Sequence, residues 1–210
     1  MGIQLLDQNT INKIAAGEVI ERPSSVVKEL VENAIDAGAT AVTVEAKEGG
    51  ISFIRVTDNG SGIKKDEIDI AFKRHATSKI KSIEDLLTVS SLGFRGEALA
   101  SIAAVSQIEL ITKTKDDITG TRYQSEGSEV ISVEDIGAPD GTTFIIRNLF
   151  FNTPVRRKFL KSAMTEAGYI NALMQYMALS HPEVSFRFIN NNQNKLHTCL
   201  LYTSPSPRDS

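Results

Sequence analysis

The chain has 210 residues and 22.9 kDa, 41% hydrophobic and 23% charged, which excludes wholesale disorder and fits one large domain or two small ones. One Cys precludes an internal disulfide and a Cys-rich zinc site, and no apolar run approaches the ~20 residues that span a bilayer. The net charge of −3 gives no global basic field, so any contact with DNA has to come from local patches.

Residues 1–7 lack the charged and apolar regions of a secretory signal, and a reducing cytoplasmic setting is expected. Asn9 or Thr10 can cap a short helix through Ile11, Ile14 and Ala15. Ser24 or Ser25 is the expected cap of a stronger helix that ends at Gly38. Its Val26, Val27, Leu30, Val31, Ala34 and Ile35 form one apolar stripe, with Glu29, Glu32, Asn33 and Asp36 opposite. Strands are expected through Val42, Val44 and Ala46 and over 51–57, and the second runs into Asp58-Asn59-Gly60-Ser61-Gly62. A helix over 66–75 should point Ile68, Ala71 and Phe72 inward, and a Gly-containing loop at 90–96 leads to a helix over 97–104. The period then changes from 3.6 to 2. Strands over 107–114, 119–125, 129–135 and 142–149 read as an antiparallel meander. A helix over 165–180, a strand over 184–189 and a turn at Asn190-Asn191-Asn192 follow. The fold class is α+β. Folding is expected over 1–197, with the domain truncated at its C-terminal end, and 198–210 is expected to be a disordered or non-native tail.

Five clusters carry chemistry. Glu29 and Asn33 lie one helical turn apart, and a carboxylate there can take a proton from water while an amide oxygen can bind a hard cation. Asp58 ends a strand before glycines that let a ligand approach the backbone, and a fixed carboxylate accepts from an amino group such as that of adenine. The loop from Ser90 through Gly93, Phe94, Arg95, Gly96, Glu97, Ala98 and Leu99 offers N–H groups to phosphates and suits a lid. Lys73, Arg74, His75, Thr77, Ser78, Lys79 and Lys81 suit phosphate contacts as well as a solvated helix end. Residues 147–161 combine Arg147, Arg156, Arg157, Lys158 and Lys161 with Phe150, Phe151 and Phe159; the Phe residues are expected in the core. Gly60-Ser61-Gly62 fails as a dinucleotide fingerprint because Lys65 stands where the third Gly belongs.

In this order, Glu29-Leu30-Val31-Glu32-Asn33-Ala34-Ile35-Asp36-Ala37, Asp58-Asn59-Gly60-Ser61-Gly62 and Gly93-Phe94-Arg95-Gly96-Glu97-Ala98-Leu99 resemble the first three motifs of the GHKL ATPases. Within that superfamily, Ile14-Ala15-Ala16-Gly17-Glu18-Val19-Ile20-Glu21-Arg22-Pro23, Arg74-His75-Ala76-Thr77-Ser78-Lys79 and Phe151-Asn152-Thr153-Pro154-Val155-Arg156-Arg157-Lys158-Phe159-Leu160 are similar to the MutL family of DNA mismatch repair proteins. The resemblance implies a Bergerat-type α/β sandwich with a mixed, mainly antiparallel sheet. It implies Glu29 as general base, Asn33 as the Mg²⁺ ligand, Asp58 on the adenine amino group with Thr143 supporting it, and Gly60 and Gly62 shaping the base pocket. Thr77, Ser78 and Lys79 would lie along the ribose–phosphate side, and 93–99 would be the ATP lid. Residues 18–23 belong to the segment that helps form an ATP-dependent homodimer. Partners implied are DNA, held weakly by basic patches, the mismatch recognition protein MutS and downstream repair enzymes, in the bacterial cytosol or nucleoid. The family's following domain supplies a Lys to the γ-phosphate, and its C-terminal dimerisation region carries a nuclease in many relatives. Without them the chain is expected to bind ATP and hydrolyse it poorly. The competing expectations are a non-enzymatic DNA- or protein-binding module built on 147–161, and a histidine kinase or topoisomerase.

Overall fold

The computed structural model describes residues 16–17, 19–73 and 97–199. In chain order the elements are α1 (Pro23–Asp36), β1 (Ala41–Lys47), a 3₁₀ turn (Glu48–Gly50), β2 (Phe53–Asp58), α2 (Lys65–Ala71), α3 (Ala98–Ala104), β3 (Gln107–Lys113), β4 (Gly120–Glu126), β5 (Glu129–Ile136), β6 (Gly141–Arg147), α4 (Pro154–Phe159), α5 (Ala163–Ser180), β7 (Ser185–Asn190) and β8 (Gln193–His197). The strands form one eight-stranded sheet in the order β5-β4-β3-β6-β2-β1-β7-β8. Among the described strands only the β1–β7 pair is parallel, so the sheet is mixed and mainly antiparallel as expected.

Side chains alternate across this sheet. Val42, Val44 and Ala46, Ile54 and Val56, Ile108 and Leu110, Phe144 and Ile146, and Phe186 and Phe188 are all buried. They share a core with Val26, Val27, Leu30, Val31 and Ala34 of α1 and with Ile170, Met174 and Met177 of α5. The alternate residues, such as Arg55 paired with Glu45 and Arg122 with Glu109, belong to the other, partly exposed face.

Two expectations need correction. The strands after α3 are not a meander: β6 leaves β5 and pairs with β3 and β2, giving a Greek-key order in which the fourth strand returns beside the first. Burial explains why. β6 alternates buried and half-buried residues and fills a central slot, whereas β5 is exposed along most of its length and sits at the edge. The cap of α1 is Arg22, with no side-chain hydrogen bond, and Pro23 takes the first helical position that its fixed φ favours, so Ser24 and Ser25 fall inside the first turn. Residues 154–159, to which the sequence reading gave no element, form α4, again opened by a Pro.

The other end of α1 follows expectation. Gly38 has φ +72°, its N–H donates to Ile35 O (2.9 Å), and Ala39 N donates to Ala34 O (3.0 Å), the paired bonds of a Schellman motif. Asn191 and Asn192, both with positive φ, make the two-residue turn from β7 to β8, a strand the sequence reading did not include. Thr198 still pairs with β7 through Phe186 O (2.9 Å). No helix among the described residues is long and apolar enough to cross a membrane.

Candidate nucleotide site

Asp58 closes β2, opposite Thr142 of β6 and Val42 of β1. By alternation it belongs to the core-side face, the one α1 covers. Its Oδ1 accepts from Gly60 N at 2.8 Å. Burial pushes the carboxyl above its ordinary value, opposed by backbone N–H bonds from Gly60 and Thr142. Thr143 lies elsewhere: it pairs with Thr57 on the opposite face, and its hydroxyl donates to Thr57 Oγ1 at 3.1 Å. The threonine beside Asp58 is therefore Thr142.

The turn after Asp58 is tied down on several sides. Asn59 Oδ1 accepts from Thr40 N and Ala41 N, both at 2.9 Å, and its Nδ2 donates to Thr40 Oγ1. Ser61 N donates to Ala37 O at 2.9 Å, joining the turn to the end of α1. A Cβ on Gly60 would sit 2.9 Å from Ala37 O and 3.0 Å from Asp58 Oδ1. Gly62, at φ +73°, would place one 2.2 Å from Lys113 O. Both expected pocket glycines thus occupy positions where the backbone of another element closes in. Gly141 does the same from the β6 side, its missing Cβ lying 2.3 Å from Asp58 O.

Glu29 and Asn33 stand half-buried on α1, one turn apart. A rise of ~1.5 Å per residue sets Asn33 about 6 Å, and Glu29 about 12 Å, along the axis from the Ala37 contact. Polar groups therefore line up from the Asp58 turn back along the helix. Glu32, expected on the same solvated face, is instead 4% exposed and paired with Lys28 at 2.6 Å. Glu97 precedes α3 as its cap residue, and Ala98 and Leu99 fall in its first turn, all three half-buried. Thr77, Ser78, Lys79, Gly93, Phe94, Arg95 and Gly96, like Glu18, lie outside the described residues.

The basic segment divides. Arg156 donates to Ile20 O (3.1 Å) and packs its guanidinium where a Gly17 Cβ would stand, anchoring the strand of chain before α1. Arg147 lies over the Phe53 ring and 3.7 Å from Glu109. Arg157, Lys158 and Lys161 are exposed. Phe150 is fully buried and Phe151 half-buried, but Phe159 is 80% exposed, which corrects its assignment to the core. Among the described residues none encloses this side chain of the short α4.

Sequence reasoning missed Asn59, Thr112 and Thr142. Asn59 had a signal in its place between Asp58 and Gly60. The threonines, ordinary strand formers, become neighbours of Asp58 only when β3, β6 and β2 pair.

Residues 20–142 match the model of the histidine kinase-, DNA gyrase B- and HSP90-like ATPases. The chain is 70% identical over 196 residues to the DNA mismatch repair protein MutL of Agathobacter rectalis, covering 93% of this chain and 30% of that protein. It is 55% identical to the MutL of Acidobacterium capsulatum, covering 88% and 28%. It therefore spans about 30% of the length of these relatives. Among solved structures it resembles the Aquifex aeolicus MutL ATPase domain complexed with ADP, at 36% identity and TM-score 0.71, over 87% of this chain and 65% of that one. The model match covers more than half of the sequence, and the chain belongs to the histidine kinase-, DNA gyrase B- and HSP90-like ATPase family.

Proposed function

We propose that the chain is the nucleotide-binding part of a MutL-type DNA mismatch repair protein and that it binds ATP with Mg²⁺ between α1 and the Asp58 turn. The observation that carries this reading is the Asp58 carboxylate. It is half-buried at the end of a central strand, fixed by Gly60 N–H, and framed by two glycines that leave no room for a side chain. A carboxylate fixed in this way can accept from an amino donor on a flat group. In this reading Asp58 accepts from the adenine amino group, Gly60 and Gly62 keep the turn close to the base, and Thr142 rather than Thr143 stands beside the contact.

Asn33 and Glu29 take the phosphate end. Among the described residues no group of three or more His, Cys, Asp or Glu could cage a metal ion. A single amide oxygen from Asn33 fits Mg²⁺ nonetheless, because this ion is commonly held by phosphates and water with one or two protein ligands. When bound, the ion neutralises charge on the phosphate oxygens. Glu29, one turn further along α1, orients a water and takes its proton as general base. Residues 77–79 and the 93–99 lid complete the proposed phosphate side. ATP orders the lid and closes two copies of the full-length protein through the 18–23 segment, which Arg156 holds to the body. Hydrolysis reopens it, coupling mismatch recognition by MutS to downstream repair in the bacterial cytosol.

The test is calorimetric titration with Mg·ATP and with ADP, comparing the chain with Asp58→Ala. The substitution should abolish binding while the melting profile stays cooperative. Unchanged affinity in a folded Asp58→Ala protein overturns the reading and leaves the DNA- or protein-binding module.

A further inference from the structure

Thr112 lies on β3, two strands from Asp58, and is 1% exposed. Its Oγ1 accepts from Ile63 N at 2.8 Å, donates to Gly141 O at 3.2 Å and lies 3.1 Å from Thr142 Oγ1. One hydroxyl offers one donor and two acceptor sites, so these three contacts exhaust it.

Its partners are not scattered. Ile63 follows the Gly60–Gly62 turn directly, and Gly62 leaves no room for a Cβ against Lys113 O, next to Thr112. Gly141 and Thr142 open β6. Gly141 meets the Asp58 backbone closely, and Thr142 gives its backbone N–H to the Asp58 carboxylate. The exit of the turn and the strand that steadies the carboxylate thus converge on one oxygen. In register, Asp58, Thr142, Thr112 and Thr121 form a single row across four strands, and the three threonines are buried. A buried hydroxyl with every site used is rigid, because rotating it breaks a bond that no water replaces.

We propose that Thr112 is a positioning residue for base recognition: its hydroxyl holds the Asp58 turn in register with β6 and so sets the preference for adenine, without touching the nucleotide. This rests on the reading of Asp58 as the adenine acceptor. A hydroxyl that only stabilised the sheet would change melting behaviour and leave the base preference alone.

The experiment compares the full chain with Thr112→Val, Thr112→Ser and Asp58→Ala, by thermal melts and by calorimetric titration with ADP and GDP. Thr112→Val keeps the shape and loses the hydroxyl. It should weaken ADP binding about ten-fold and narrow the ADP over GDP preference by a similar factor. Thr112→Ser should restore both. A folded Thr112→Val protein with wild-type ADP affinity and preference overturns the inference, as does a serine variant as impaired as the valine. Loss of binding in Asp58→Ala beside an unaffected Thr112→Val sinks this inference alone; unaffected binding in Asp58→Ala sinks the adenine reading itself. If Thr112→Val does not fold, hydrogen exchange at the Ile63 amide of the unaltered chain decides. Slowing of at least ten-fold with ADP supports the coupling, and exchange indifferent to ADP overturns it.

Discussion

Asp58 faces two opposed demands. Burial raises its pKa above the ordinary 3.8, so in the free protein the ionised form is disfavoured on folding. An acid whose folded pKa is raised binds more protons folded than unfolded, and stability falls as pH rises from the ordinary value through the raised one. Accepting from an adenine amino group requires the ionised form, so ADP affinity should rise across the same window and level off above it. Two slopes of opposite sign from one carboxyl make the prediction sharp. Melting and ADP titration over that range, on the chain and on Asp58→Asn, check it: the stability step is absent in the variant, and a wild-type affinity flat with pH would remove Asp58 from the base contact. The Asp58 turn was legible because a β-branched strand stops at Asp-Asn-Gly-Ser-Gly, and the Glu29–Asn33 pair because helical spacing is local. Thr112 and Thr142 were not. Their role depends on which strands pair, and a one-residue step along β6 separates the face of Thr142 from that of Thr143.

At the scale of elements, α1 and the turn it meets test what a glycine is for. Gly38 and Gly62 have nearly equal positive φ, +72° and +73°. A Cβ on Gly38 meets nothing within 4 Å, whereas one on Gly62 meets the Lys113 backbone at 2.2 Å. Gly38→Ala should therefore cost only the left-handed backbone penalty, about 1 kcal/mol. For a chain of this size that lowers Tm by roughly 2–4 °C, with ADP affinity unchanged. Gly62→Ala pays the same penalty and must also displace the loop from β3, so it should lose both stability and ADP binding. Melts and ADP titrations of the two variants check this, and equal effects on ADP would mean that Gly62 serves only the fold. The ends of α1 show where local signals stop: Gly38 was identified correctly, yet Pro23 displaced the serine cap. β6 shows the limit for strands, since chain order put it beside β5 and burial put it at the centre of the sheet.

For the whole molecule the charge balance bounds what DNA binding can be. The net charge is −3, and two of the five cations in 147–161 are engaged within the protein: Arg156 at the Ile20 carbonyl and Arg147 at Phe53 and Glu109. Arg157, Lys158 and Lys161 remain exposed for a phosphate backbone. Each neutralised phosphate contributes a slope of about −0.9 in log K against log salt, so three cations give about −3 at most. The chain should bind duplex DNA weakly, with a slope no steeper than that. Replacing all three cations by Ala should flatten it and leave ADP affinity unchanged, because none lies on the elements that frame Asp58. Fluorescence anisotropy at several salt concentrations, beside ADP calorimetry, measures both. A steep slope that survives the triple substitution would place the DNA surface elsewhere. If the patch is the one used, and if two copies of the full-length protein close on nucleotide as proposed, closure would bring two such patches to one duplex. That raises the grip by effective concentration rather than by new contacts, and it makes DNA affinity depend on ATP while the single chain's does not.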